Sequence, residues 1–207
     1  GIPYNPHYYS GILDDLKFNK AKDLVSLRLE ITQMPKYLEL AMSRLKNRQR
    51  FSVRSLRMNR FDEEIDLIWD IYNDAWIDNW GFVPMSKEEF KYAACEMKSF
   101  VQAEYCFISE VNGEPAGFSI TLPDINQILK IMNGRVFPLG WARFLWNKNK
   151  MRVYRVVALG IKKKYRRLEI DAALYYETYN RFLENKIKWC DISWVLEDNK
   201  SMLDAVI

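Results

Sequence analysis

The stretch from residue 152 to residue 196 limits what this chain can fold into more than any other. "RVYRVVALGI" is β-branched and apolar enough for a central strand, residues 168–186 continue as a helix with Ile170, Leu174 and Phe182 on one side, and "KWCDISWVL" is a further buried strand. A connection of that length carrying a helix joins parallel neighbours in one sheet, because antiparallel neighbours need only a short turn. The chain therefore belongs among the mixed α/β layer architectures.

The elements before it agree. "FSVRSLRM" from residue 51 is a short strand, and "FDEEIDLIWDIYNDAW" puts Ile65, Ile68, Trp69, Tyr72 and Trp76 on one helical stripe. Asp62, Glu63 and Glu64 fall in the first turn, where the helix dipole favours acids. "SKEEFKYAACEMKSFV" opens with Ser86 and Glu89 at capping-box spacing. "EYCFISEV" and "PAGFSITL" meet at Asn112-Gly113, a pair that supplies the positive φ angles of a tight hairpin. Residues 123–150 form a connection too long and aromatic for a plain loop, which points to function or an interface. "EDNKSMLDAVI" begins a last helix.

Residues 49–207 make one domain, and residues 1–48 read as a helix-strand-helix appendage. There Tyr9, Ile12, Leu13 and Leu16 lie at helical spacing, "AKDLVSLRLEI" is strand-like, and Pro35 stands near the start of a second helix. The chain opens at "GIPYNPHYY" without an initiator Met, as a fragment would.

Charge and cysteine usage narrow the chemistry. The net charge is +4, with 31 basic and 27 acidic residues interspersed, which favours an anionic ligand over nucleic acid. Cys95, Cys106 and Cys190 are widely spaced and His7 is the only histidine, so a disulfide framework, a metal site and Ser-His or Cys-His catalysis are poorly supported. A reduced, cytoplasmic setting fits. No apolar run approaches the ~18–20 residues of a membrane span, and no membrane partner is expected.

Lys162, Lys163, Lys164, Arg166 and Arg167 crowd the turn between the central strand and its helix. A strand that turns into a helix offers free backbone N–H groups at the positive helix end, a ready anion site for a diphosphate or sugar phosphate. A solvated turn would carry similar charge, and neither a phosphate loop nor a G-x-G-x-x-G is present.

The whole segment "VVALGIKKKYRRLEIDAALYYE", with the strand order around it, resembles the acyl-coenzyme A segment of the GNAT superfamily of N-acetyltransferases. There a strand leads through an aromatic-Arg pair and an R-x-x-G-x-G/A loop into a helix. The resemblance covers about three quarters of the chain and implies a mixed, mostly antiparallel central sheet flanked by helices. It implies that Val157, Ala158, Leu159 and Ile161 pair with the pantetheine arm of acetyl-coenzyme A. The backbone of Arg166, Arg167, Leu168, Glu169, Ile170, Asp171 and Ala172 would hold the diphosphate, and Asn199 would contact the pantetheine. Glu169 and Asp171 stand where the family has glycine. Two carboxylates beside two phosphates oppose binding, although an acid in a first helical turn gains about 0.3–1 kcal/mol from the dipole.

The resemblance also places "IYNDAWIDNWGFVPMSKEEF" over the acceptor side, where Tyr72, Asn79, Trp80 and Phe82 would meet a small-molecule or peptide amine; Tyr72 and Trp76 read first as core on the helical stripe, and Asn79, Trp80 and Phe82 lie past it. Direct attack needs a polarised thioester carbonyl and a proton for the leaving thiolate. The family often takes that proton from a Tyr in the last helix, yet "NKSMLDAVI" has none, so no catalytic residue is assigned. Glu197 and Asp198 read as bases or as turn and cap residues. Cys190 reads as an inert strand cysteine.

"YYSGILDDLKFNKAKDL" resembles the closing helix and strand of the same fold. Either the chain holds the tail of one GNAT-like half and most of a second, or residues 5–31 complete the sheet of 51–207. The expected activity is acetyl transfer to an amine, without metal. The rival is a degenerate GNAT-like module that binds or docks through 123–150, with a homodimer left open.

Overall fold

The computed structural model describes residues 5–47, 51–132, 146 and 151–204. In chain order the main elements are α1 (Tyr8–Asp15), β1 (Leu24–Glu30), α2 (Lys36–Lys46), β2 (Phe51–Ser55), α3 (Phe61–Trp76) and α4 (Lys87–Met97). There follow β3 (Cys106–Val111), β4 (Glu114–Pro123), α5 (Asn126–Met132), β5 (Val153–Ile161), α6 (Ile170–Glu184), β6 (Trp189–Leu196) and α7 (Lys200–Asp204). Most of the long connection expected at 123–150 lies outside the described residues; α5 is its described start.

Six strands form one sheet in the order β1-β6-β5-β4-β3-β2, antiparallel except for β5 and β6, which α6 joins in parallel. Leu24–Glu30 supplies the strand beside β6. Alternation along β3 sorts the core into two layers. Cys106 and Ile108 pack with Ile65, Ile68 and Ile71 of α3, while Phe107 packs with Ile170 and Leu174 of α6. So α3 and α4 cover one face and α6, backed by α2, covers the other.

Local chemistry fixes the elements where the sequence says it should. Asn112 and Gly113 take φ of 54° and 80°, the two positive angles of the β3–β4 turn. Ser86 and Glu89 close both hydrogen bonds of a capping box at the start of α4. Asp62, Glu63 and Glu64 lie in the first turn of α3 as expected, and Glu64 does more than meet the dipole: it is fully buried and held by Arg54 at 2.6 Å and Arg57 at 2.5 Å.

The sheet opens at one place. Parallel pairing ends at Val156↔Ile192, and both strands bulge immediately beyond it. In β5 the register with β4 skips Val157, and in β6 the register with β1 skips Trp194, whose φ is 65°. A bulge bends its own strand and adds twist, so two of them side by side part β5 from β6.

Candidate functional site

A cleft of about 940 Å³ lies against the parted ends of β5 and β6. Leu159, Gly160 and Ile161 line it from β5; Leu196, Asp198 and Asn199 line it from the end of β6 and the turn beyond. Ala75, Trp76, Asn79 and Trp80 come from the end of α3, and Tyr165, Arg166, Arg167, Ile170, Asp171 and Tyr175 from the basic turn and α6. The fold thus gathers Leu159, Ile161, Arg166, Arg167, Ile170, Asp171, Asn199, Asn79 and Trp80 around one space. Val157, Ala158, Leu168, Glu169 and Ala172 adjoin these in the chain but are not in its wall. Tyr72 and Phe82 also lie off it: their rings, 5.3 Å apart, stack with Trp76 and Phe90 in an aromatic cluster that supports the α3 end.

The turn before α6 presents its backbone. The N–H groups from Arg167 to Ala172 find no acceptor among the described residues; the first bond into the helix is from Ala173 N–H to Glu169 C=O at 3.2 Å. Arg167 and Glu169 have φ of 69° and 59°, and alternation of this kind turns successive N–H groups to one side, forming an anion-binding concavity at the positive helix end.

Glu169 therefore adopts the left-handed conformation that glycine would supply, at a cost of about 1–2 kcal/mol for an L residue. Its carboxylate pairs with Arg44 of α2 at 3.0 Å. Asp171 remains in the wall of the cleft.

The five cations of the turn divide their roles. Lys162 pairs with Asp70 and Lys163 with Asp78, each at 2.5 Å, and Lys164 pairs with Glu114 at 2.6 Å. The hydrogen bond to Glu114 is the main cause that pushes the Lys164 ammonium up to about 12. Arg166 donates to the Ala75 carbonyl at 2.5 Å, and Asp74 accepts from the Lys163 backbone N–H at 2.6 Å. Arg167 alone has no ion pair or side-chain hydrogen bond among the described residues. Four of the five charges thus fasten the turn to α3 and β4, and one faces the cleft unpaired.

The carboxylates after β6 are engaged as well. Asp198 pairs with Lys22 at 2.5 Å, and that hydrogen bond holds its carboxyl below the usual range. Glu197 accepts from the Asp23 N–H at 3.1 Å, and the Asn199 side-chain oxygen caps α7 by accepting from the Met202 N–H at 3.3 Å. Burial pushes the Cys190 thiol up to about 12, away from the thiolate a nucleophile needs. The described residues contain no His/Cys/Asp/Glu group able to hold a metal ion, and no helix among them is long and apolar enough to cross a membrane.

Tyr175 is the residue that sequence reasoning passed over. It lies one helical turn beyond Asp171, so the i, i+4 rule would have put it on the same face. Its hydroxyl has no hydrogen-bond partner among the described residues, and burial raises the phenol, keeping it protonated. Lys22 carried no sequence signal, since β1 brings it to the cleft only through long-range pairing.

The architecture has close counterparts in known proteins. All of the chain superposes, with a TM-score of 0.61 and 10% identity, on 22% of a fungal multi-domain β-N-acetylglucosaminidase chain that contains a GCN5-related glucosamine N-acetyltransferase region. The chain has the GNAT fold. The strand, turn and helix that carry the resemblance are β5, residues 162–169 and α6. No family profile matches the chain. Two curated proteins do: protein YghO of Escherichia coli K12, 30% identical over 97% of this chain, and the bacterial ceramide synthase of Caulobacter vibrioides, 32% identical over 96% of it. The chain spans about half (53%) of the length of each.

Proposed function

We propose that this GNAT-fold chain binds an acyl-coenzyme A in the cleft and directs its acyl group to an amine. It would be an N-acyltransferase acting by direct attack, with acetyl-coenzyme A the simplest donor. The observation that carries the reading is the run of unpaired N–H groups from Arg167 to Ala172, set at the edge of a cleft bounded by two parted parallel strands. A diphosphate satisfies those N–H groups, Arg167 adds the free charge, and the unpaired edge of β5 beyond Val156 offers backbone groups to an extended amide arm. The name of the ceramide synthase relative supports an amine acceptor, because a ceramide is an amide.

The thioester supplies an activated carbonyl. Tyr175, neutral and without a partner, is the hydroxyl in the wall best suited to give the leaving thiolate its proton, and Asn79 and Trp80 flank the acceptor's approach. Tyr175→Phe should keep coenzyme affinity and lose about 10²-fold or more in thiol release with an amine the chain accepts. Unchanged turnover would remove Tyr175 from that role.

Binding is tested by thermal shift with coenzyme A, desulfo-coenzyme A and 3′,5′-ADP. At a hundred times its dissociation constant a ligand stabilises by about 2.7 kcal/mol, or roughly 5–10 °C here. Larger shifts with the first two than with ADP are expected. A cooperatively melting protein that responds to none of them would overturn the reading.

A further inference from the structure

The α6 side of the sheet contains a second cavity, of about 390 Å³. Two observations join it to the cleft. Tyr175 lines both spaces, and Val156 and Ile192, the last paired residues before β5 and β6 part, belong to the cavity wall. It therefore begins at the base of the opening in which the coenzyme arm is proposed to lie.

Its chemistry is that of an aliphatic ligand. Leu29, Ile31, Leu38 and Phe182 supply most of the remaining wall. The polar side chains there are satisfied or neutral: Thr178 donates to the Leu174 carbonyl of its own helix at 2.9 Å, Tyr179 donates weakly to the Glu30 carbonyl at 3.5 Å, and burial keeps the Cys190 thiol protonated. Glu30 is exposed at the end of β1, so the interior offers a head group no counter-charge. At about 30 Å³ for a water-sized group, the space holds roughly a dozen methylenes. Nothing in an acetyl group would use it.

We infer that this cavity receives the hydrocarbon chain of a medium- or long-chain acyl-coenzyme A, entering past Tyr175 from the parted strands. The inference rests on the proposed coenzyme cleft. The chain belongs to the donor and not to the acceptor because Asn79 and Trp80 follow α3, on the opposite face of the sheet.

The test is a calorimetric titration of the protein with coenzyme A and with its acetyl, hexanoyl, decanoyl and dodecanoyl thioesters, below the concentrations at which they form micelles. Affinity should rise with chain length, by up to about fourfold per buried methylene. Ile31→Trp, which fills the cavity, should bring dodecanoyl-coenzyme A down to the affinity of the acetyl thioester while coenzyme A itself binds as before. Affinity that stays flat from acetyl to dodecanoyl in the unaltered protein, with coenzyme A bound, would overturn the chain cavity and leave the coenzyme reading standing. A rise that survives intact in a folded Ile31→Trp would also overturn it, since the chain would then lie elsewhere. Absence of coenzyme A binding would overturn both. If Ile31→Trp does not fold, the length series on the unaltered protein decides alone.

Discussion

At Glu169 three local terms compete. The left-handed backbone is strained by about 1–2 kcal/mol, one carboxylate oxygen is buried without a hydrogen bond, and the other gains a half-exposed ion pair with Arg44 worth under ~1 kcal/mol. Glu169→Gly removes all three, and the added chain entropy of glycine offsets part of the gain. Thermal melts should show equal or higher stability. Coenzyme A should bind several-fold tighter, because a carboxylate leaves the N-cap of α6 beside the proposed phosphate site. A loss above ~1 kcal/mol would show instead that Arg44 uses Glu169 to hold α2 against the turn. Glu64 poses the opposite case. Burial would raise its carboxyl, but hydrogen bonds from Arg54 and then Arg57 outweigh this and hold it below the usual range. Its folded value lies under its unfolded one, so its contribution is full above about pH 5 and fades as pH falls through the folded value. Breaking a buried pair costs about 3–5 kcal/mol, and the partial exposure of both arginines puts Glu64→Gln at or below the low end. In urea melts the gap between Glu64→Gln and the unaltered protein should be widest near pH 7 and narrow below pH 4.5; a gap independent of pH would mean that packing, not charge, is lost.

The basic turn shows what a sequence tells about an element and what it withholds. Its helix start, its strand and the crossover were legible because each leaves a local period or composition. Its charge was ambiguous between an anion site and a solvated face, and the structure adds a third use. Asp66, Asp70, Asp74 and Asp78 recur at i+4 through α3 and just past it, an acidic row opposite the apolar stripe. Asp66 takes Lys87 and Lys91 of α4, while the next three take the side chain of Lys162, the backbone of Lys163 and the side chain of Lys163. The row was visible in the sequence; its partners were not, because only the sheet brings residues 162–163 to α3. The turn is fastened at one edge so that its free N–H groups stay aligned at the other. Asp74→Ala removes a charge-assisted hydrogen bond, of about 1.5–3 kcal/mol at most and less at this exposed site. It should lower stability by about 1 kcal/mol or less, speed hydrogen exchange across 163–170 and weaken coenzyme A binding more than that change in stability accounts for. Unaltered exchange in the turn would show that Arg166 and Lys162 suffice to hold it.

Across the whole molecule, the β3–β4 hairpin and the parallel β5–β6 pair followed from hairpin and crossover rules, whereas the pairings of β2 with β3, β4 with β5 and β1 with β6 left no local mark, since pairing between distant segments depends on which edge the sheet exposes. The cleft depends on the same long-range fit, and Gly160 is part of its wall. A Cβ there would stand 2.8 Å from the Phe118 ring and 3.2 Å from the Ala75 Cβ. Phe118 is wholly buried between β4 and α3, and Ala75 carries the carbonyl that Arg166 grips. Glycine at this position therefore lets α3 sit close enough to β5 to anchor the basic turn. Gly160→Ala should destabilise by about 1–3 kcal/mol through overpacking, a drop of roughly 2–12 °C in Tm, and should weaken coenzyme A binding although residue 160 offers a ligand only its backbone. Gly11→Ala is the comparison, since an added Cβ on that exposed helix meets nothing within 4 Å and should raise stability by about 0.4–1 kcal/mol and leave binding unchanged. Full coenzyme affinity in a destabilised Gly160→Ala would uncouple the α3 packing from the site and leave the turn's own geometry as the sole determinant of binding.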